Sequence, residues 1–101
     1  MIRHIVLFSA KDKADIDGIV DGLSCLTRIP HARHLEVARN QKTDQLGNDI
    51  DVVVYGEFDS QAELTAYKAH PLYEEAIRLA RPLRELRLAA DFDIASAVRK
   101  A

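Results

Sequence analysis

The chain has 101 residues, 48% hydrophobic and 30% charged, with a formal net charge of -2. That is one domain of ordinary soluble composition, and its slight negative charge excludes nucleic acid as an electrostatically obvious partner. One cysteine, Cys25, excludes a disulfide framework, and no apolar run approaches the ~20 residues of a membrane span, so the expected setting is cytoplasmic, away from membranes.

Ile2 to Ser9 reads as a strand, with Ile2, His4, Val6 and Phe8 on one face and Arg3, Ile5 and Leu7 on the other. Its second half is apolar on both faces, so both must be covered. Asp12 to Arg28 reads as one helix with the apolar stripe Ile16, Ile19, Val20, Leu23 and Leu26, ended by Ile29-Pro30. Gly18 and Gly22 weaken it but let it approach a neighbouring backbone. Cys25 sits in this pattern beside Leu26, the place of a buried, inert thiol.

Leu35 to Asn40 reads as a second strand, followed by a loop over Gln41 to Asn48. Ile50 to Phe58 is the third and strongest strand. Val52, Val54, Gly56 and Phe58 share one face, and Val53, Tyr55 and Glu57 the other. Gly56 leaves a gap beside which a ligand could sit. Ser60-Gln-Ala-Glu63 is a capping box that starts a helix with Ala62, Leu64 and Tyr67 as its buried side. His70-Pro71 interrupts it, since proline lacks the N–H a continuing ladder needs. The restarted helix carries Tyr73, Ala76, Ile77 and Ala80 and stops at Pro82. Leu88 to Ile94 is the last strand, and residues 95–101 form a tail.

The order β-α-β-β-α-β is the split βαβ pattern of an α+β, ferredoxin-like domain spanning residues 1–101. Right-handed crossovers put both helices on one face of a four-stranded antiparallel sheet. Ile5, Leu7, Val53 and Tyr55 then lie on the bare face, an apolar patch too contiguous for a soluble monomer. A second copy packed sheet to sheet about a two-fold axis would cover it.

The segments IRHIVLF, IPHARHLEVARN, DVVVYGEFDS, AYKAHPLYEEAIRLARPL and DFDI, in this order, resemble the stress-responsive dimeric α/β-barrel (Dabb) domain over nearly the whole chain. The resemblance implies a homodimer whose two sheets close into a barrel. It also implies a site. A plant polyketide cyclase of this family uses a first-strand histidine, a tyrosine ahead of the His-Pro pair and a histidine two residues after it. These positions are His4, Tyr67 and Tyr73 here, so the third is a tyrosine.

His4 reads either as an imidazole that orients or deprotonates a small ligand, or as a histidine satisfied by a backbone group. Tyr67 and Tyr73 read as phenols for a carbonyl oxygen, or as aromatic core with a polar tip. His70 reads as a helix cap. His31 and His34 lack a third ligand at motif spacing, so no metal is expected. Arg78, Arg81, Arg84 and Arg87 read either as a clamp for an anion or as a solvated basic series salt-bridged to Glu74 and Glu85.

The expected site is a cleft between sheet and helices that binds a small apolar or aromatic molecule without a cofactor, formed by His4, Val6, Phe8, Val54, Gly56, Tyr67 and Tyr73. Two alternatives stand beside it. One is a cofactor-free cyclase, isomerase or monooxygenase using His4 with Tyr67 or Tyr73. The other is a purely structural, stress-related dimer with a filled core.

Overall fold

In the computed structural model, which describes residues 1–101, four strands form one antiparallel sheet: β1 (Ile2–Ala10), β2 (His34–Arg39), β3 (Val52–Phe58) and β4 (Arg84–Asp93). Their spatial order is β2-β3-β1-β4. Three helices, α1 (Ile16–Leu23), α2 (Gln61–Ala69) and α3 (Pro71–Ala80), complete the α+β, ferredoxin-like domain. The Cα positions extend 38 × 36 × 16 Å, a slab one sheet and one helical layer thick. No helix is long and apolar enough to cross a membrane.

The core follows from strand alternation. Val6 and Phe8 of β1 and Val52, Val54 and Phe58 of β3 are buried beneath the helices, against Ile19, Leu23, Leu26, Leu64, Tyr67, Ala76 and Ala80. The opposite face is open. Ile5, Leu7, Val53 and Tyr55 are half-buried there, and Leu86, Leu88 and Phe92 are exposed, Leu88 by 50%. Arg3 lies on the same face with its guanidinium carbon 6.0 Å from the centre of the Phe92 ring, and its Nε is buried without a hydrogen-bond partner.

The continuous helix expected over Asp12 to Arg28 is instead three pieces: a 3-10 turn at Lys13–Asp15, α1, and a second 3-10 stretch at Ser24–Arg28. Hydroxyl back-bonding accounts for the second change: Ser24 Oγ donates to the Val20 carbonyl and Thr27 Oγ to the Ser24 carbonyl, each at 2.7 Å. Gly22 meets α3 closely, since a Cβ there would lie 2.9 Å from Leu79 Cβ. Cys25 is buried, its thiol donating to the Leu72 carbonyl at 3.3 Å, and burial raises its pKa.

The His70-Pro71 interruption is a cap. His70 leaves helical geometry at φ -71°, ψ 142°, its Nδ1 accepts the Leu72 amide at 3.1 Å, and Pro71 opens α3 where no N–H is required. The capping box is half formed. Ser60 Oγ accepts the Glu63 amide, but the Glu63 carboxylate turns to His31 at 3.4 Å. Ala62 is exposed, leaving Leu64 and Tyr67 as the buried side of α2.

Asp51, just before β3, has no counterpart among the expected core residues. It is 1% exposed. Its carboxylate accepts the Ala10 amide at 2.8 Å and, at 2.6 Å each, the ammonium groups of Lys13 and Lys42. Burial alone would raise its pKa. The hydrogen bonds from Lys13, Lys42 and Ala10 outweigh that and hold it at about 2.

The last strand begins at Arg84, four residues before the expected Leu88, and carries a bulge. Ser9 pairs with Leu86 but Ala10 pairs with Arg84, so Glu85 has no partner across the ladder. Without the bulge Arg84 and Arg87 would face opposite ways, being an odd number of residues apart. With it, Arg84 joins the helix-facing side with Arg87, whose partner on β1 is Phe8.

Candidate functional site

A cavity of about 260 Å³ opens between the sheet and the helices. Its floor is His4, Val6 and Phe8 of β1 with Val54 of β3, and its far wall is Leu23 and Leu26. Tyr67 enters from α2 and Tyr73, Ala76, Ile77 and Ala80 from α3, while Arg81, Arg84 and Arg87 complete the lining. Six of the seven expected cleft residues therefore meet in one place. Gly56 does not. The space beside it is taken, because a Cβ there would fall 2.8 Å from Leu35 Cδ2 and 2.9 Å from Phe58 Cε1. The missing side chain makes room for protein rather than for a ligand.

His4 is 1% exposed and pairs through Nδ1 with the Asp91 carboxylate of β4, its register partner across the sheet. A carboxylate at Nδ1 holds the proton there and leaves Nε2 as a lone-pair acceptor. Burial lowers the His4 pKa, and the hydrogen bond and charge of Asp91 oppose the fall. Rings surround the imidazole: Phe58 and Tyr67 stand edge-on to it, each 6.1 Å away between centroids.

Tyr67 is fully buried, and its hydroxyl has no hydrogen-bond partner in the protein. Burial, then the neighbouring Tyr73 phenol, pushes its pKa far above the ordinary phenol value, so Tyr67 is a neutral O–H donor. A phenol in such a place normally finds a partner, and leaving it bare costs about 1–3 kcal/mol. Tyr73 is satisfied, accepting Arg87 Nη2 at 3.3 Å.

The basic series divides. Arg78 forms an ion pair with Glu75, not Glu74, with a 2.5 Å contact on the outer side of α3. Arg84 and Arg87 are half-buried and line the cavity instead of a solvated, salt-bridged surface, and the exposed Arg81 stands at its edge. Arg81 comes from the C-cap of α3. The earlier start of β4 and its bulge bring Arg84 and Arg87, and Asp91 joins the site from the same strand. Neither was visible in the local sequence pattern. No group of three or more His, Cys, Asp or Glu side chains is arranged to hold a metal ion, and His31 and His34 face Glu63 and Glu36 separately.

Residues 2–94 match the model of the family described as the stress responsive A/B barrel domain, Dabb. The chain belongs to the Dabb family. Among curated proteins it is 26% identical over 81 residues to a stress-response A/B barrel domain-containing protein of Arabidopsis thaliana, covering 77% of this chain and 30% of that one. The chain thus spans under a third of that relative's length. A structure from Thermobifida fusca, described as a dimeric ferredoxin-like protein of unknown function, is 27% identical with a TM-score of 0.78, covering 92% of this chain and 90% of the other. A Dabb family protein with a ferredoxin-like fold from Mesorhizobium loti is 28% identical, TM-score 0.74, covering 91% and 94%. Family and fold stand together: this Dabb domain has the ferredoxin-like sheet and, on its helix side, an apolar cavity with a His–Asp pair and a bare phenol.

Proposed function

We propose that two copies of this Dabb domain pair sheet to sheet in the cytoplasm, and that the cleft in each protomer binds a small, largely apolar or aromatic molecule without metal or organic cofactor. The observation that carries the binding reading is the Tyr67 hydroxyl, buried and unpartnered at an apolar cavity beside His4. A donor and the His4 Nε2 acceptor set in an apolar lining are the usual composition of a small-molecule pocket. Pairing of the sheets is supported by the open apolar face of Ile5, Leu7, Val53 and Tyr55 and by the dimeric description of the Thermobifida fusca structure. The single buried thiol fits a reducing compartment.

Binding is favoured over catalysis because the position two residues past His-Pro is a tyrosine whose hydroxyl is engaged by Arg87, and the nearby Tyr67 phenol, its pKa raised by burial, stays protonated and is no base. Native mass spectrometry of purified protein tests both halves. It should report a dimer with a small mass retained in each protomer, and His4→Ala or Tyr67→Phe should release that mass with the fold intact. A stable monomer at micromolar concentration would remove the pairing. Unchanged retention in both variants would remove the cleft.

A further inference from the structure

The chain carries a net charge of -2, yet three guanidinium groups gather around one apolar cavity. Three of the other six arginines hold carboxylates: Arg33 with Asp59, Arg39 with Asp17, Arg78 with Glu75. Arg81, Arg84 and Arg87 hold none, and the one side-chain hydrogen bond among them is Arg87 to the Tyr73 hydroxyl. Arg84 and Arg87 are half-buried, so their charge is only partly screened by water. Arg84 faces the cavity only because of the bulge at Glu85.

We propose that the ligand is a small organic acid, with its ring or hydrocarbon body against Val6, Phe8, Leu26 and Val54 and its carboxylate held by Arg84 and Arg87, with Arg81 alongside. This rests on the cleft reading above and names the ligand's chemical class. A planar guanidinium donates two parallel N–H bonds to a planar carboxylate, and this geometry favours arginine over lysine. The second, independent observation is Tyr67. Tyr67 lines the cavity, and its buried hydroxyl is an O–H donor that no protein group uses, free for an oxygen on the ligand. Free phosphate fits less well: the cavity has no Gly-rich loop, and its lining is mostly apolar, which a phosphate cannot cover.

Calorimetric titration of the full chain with two matched pairs, benzoate against benzamide and phenylacetate against phenylacetamide, tests this, with inorganic phosphate as a further probe. At least one acid should bind about ten-fold or more tightly than its amide. Arg84→Gln and Arg87→Gln should each shrink that ratio several-fold, and Arg84→Lys, which keeps the charge but loses the fork, should restore it only in part. Should Arg87→Gln unfold the chain through its Tyr73 contact, the two Arg84 variants carry the test. Acids and amides binding equally well would overturn the acid assignment while leaving the cleft. Failure of all four compounds to bind would overturn both. Phosphate binding as tightly as the better acid would overturn the organic-acid assignment and make the arginines a simple anion clamp.

Discussion

The rings of Tyr67 and Tyr73 stand edge to face with 5.3 Å between centroids, yet only one of the two hydroxyls is satisfied. Tyr73 accepts from Arg87, while Tyr67, one turn before the His70 cap, has nothing. The interruption at His70-Pro71 lets one short segment deliver both phenols to one cavity: α2 ends, the chain turns, and α3 presents Tyr73 from a new direction.

Tyr67→Phe removes a buried hydroxyl that the protein leaves bare. The unliganded variant should therefore be as stable as the wild type or more so, by up to about 1 kcal/mol, because no desolvated O–H remains. Its ligand retention should fall. Chemical denaturation of both proteins measures the first effect; a loss above about 2 kcal/mol would mean that the hydroxyl has a structural partner.

Val53→Glu places a carboxylate in the middle of the open sheet face. Unpaired burial of a charge costs about 3–5 kcal/mol, so the dimer dissociation constant should rise by a hundred-fold or more, roughly, in sedimentation equilibrium. A protomer that keeps its circular dichroism while losing its partner is the expected product.

Asp51 sets the acid limit of the fold. Its folded pKa is about 2, below the ordinary carboxylate value of 3.8, so the folded state binds its proton less readily than the unfolded chain. The stability this contributes is fully present above pH ~4 and is lost as pH falls toward ~2, an amount on the order of 2 kcal/mol. Asp51→Asn should be less stable at neutral pH and should show a flatter decline between pH ~4 and ~2, measured by thermal midpoints across that range.

Gly22→Ala sets helix propensity against packing. Alanine would gain about 1 kcal/mol in an open helix. Its Cβ, however, would lie 2.9 Å from Leu79 Cβ, an atom fixed to the α3 backbone, so the helices must part. Net destabilisation of about 1–3 kcal/mol is expected from denaturant midpoints. A stabilised variant would show that α1 and α3 separate freely.

Much of this was legible from local pattern. Alternation in IRHIVLF and DVVVYGEF assigned both faces of β1 and β3, and the missing N–H of Pro71 located the cap. The unread parts depend on pairing between distant segments. Asp91 meets His4 from 87 positions away, and Asp51 meets Lys13 from 38. The apparent vacancy at Gly56 closes because Leu35 comes from another strand. The arginines at three-residue spacing suggested a helix surface, whereas Arg84 and Arg87 lie on a strand whose alternation is broken once.

That break behaves like a shift of reading phase. Every residue of β4 beyond Glu85 keeps strict alternation with β1, and Arg84 is one step out of phase with it. Were Glu85 instead drawn into the ladder opposite Ala10, the simple count would return with the sequence unaltered, and the Arg84 side chain would turn to the opposite surface of the sheet. The cavity's charge is therefore set by how a strand pairs as well as by its letters. Two relatives identical at all four arginines, one with the bulge and one with a regular ladder, would present different mouths to the same pocket.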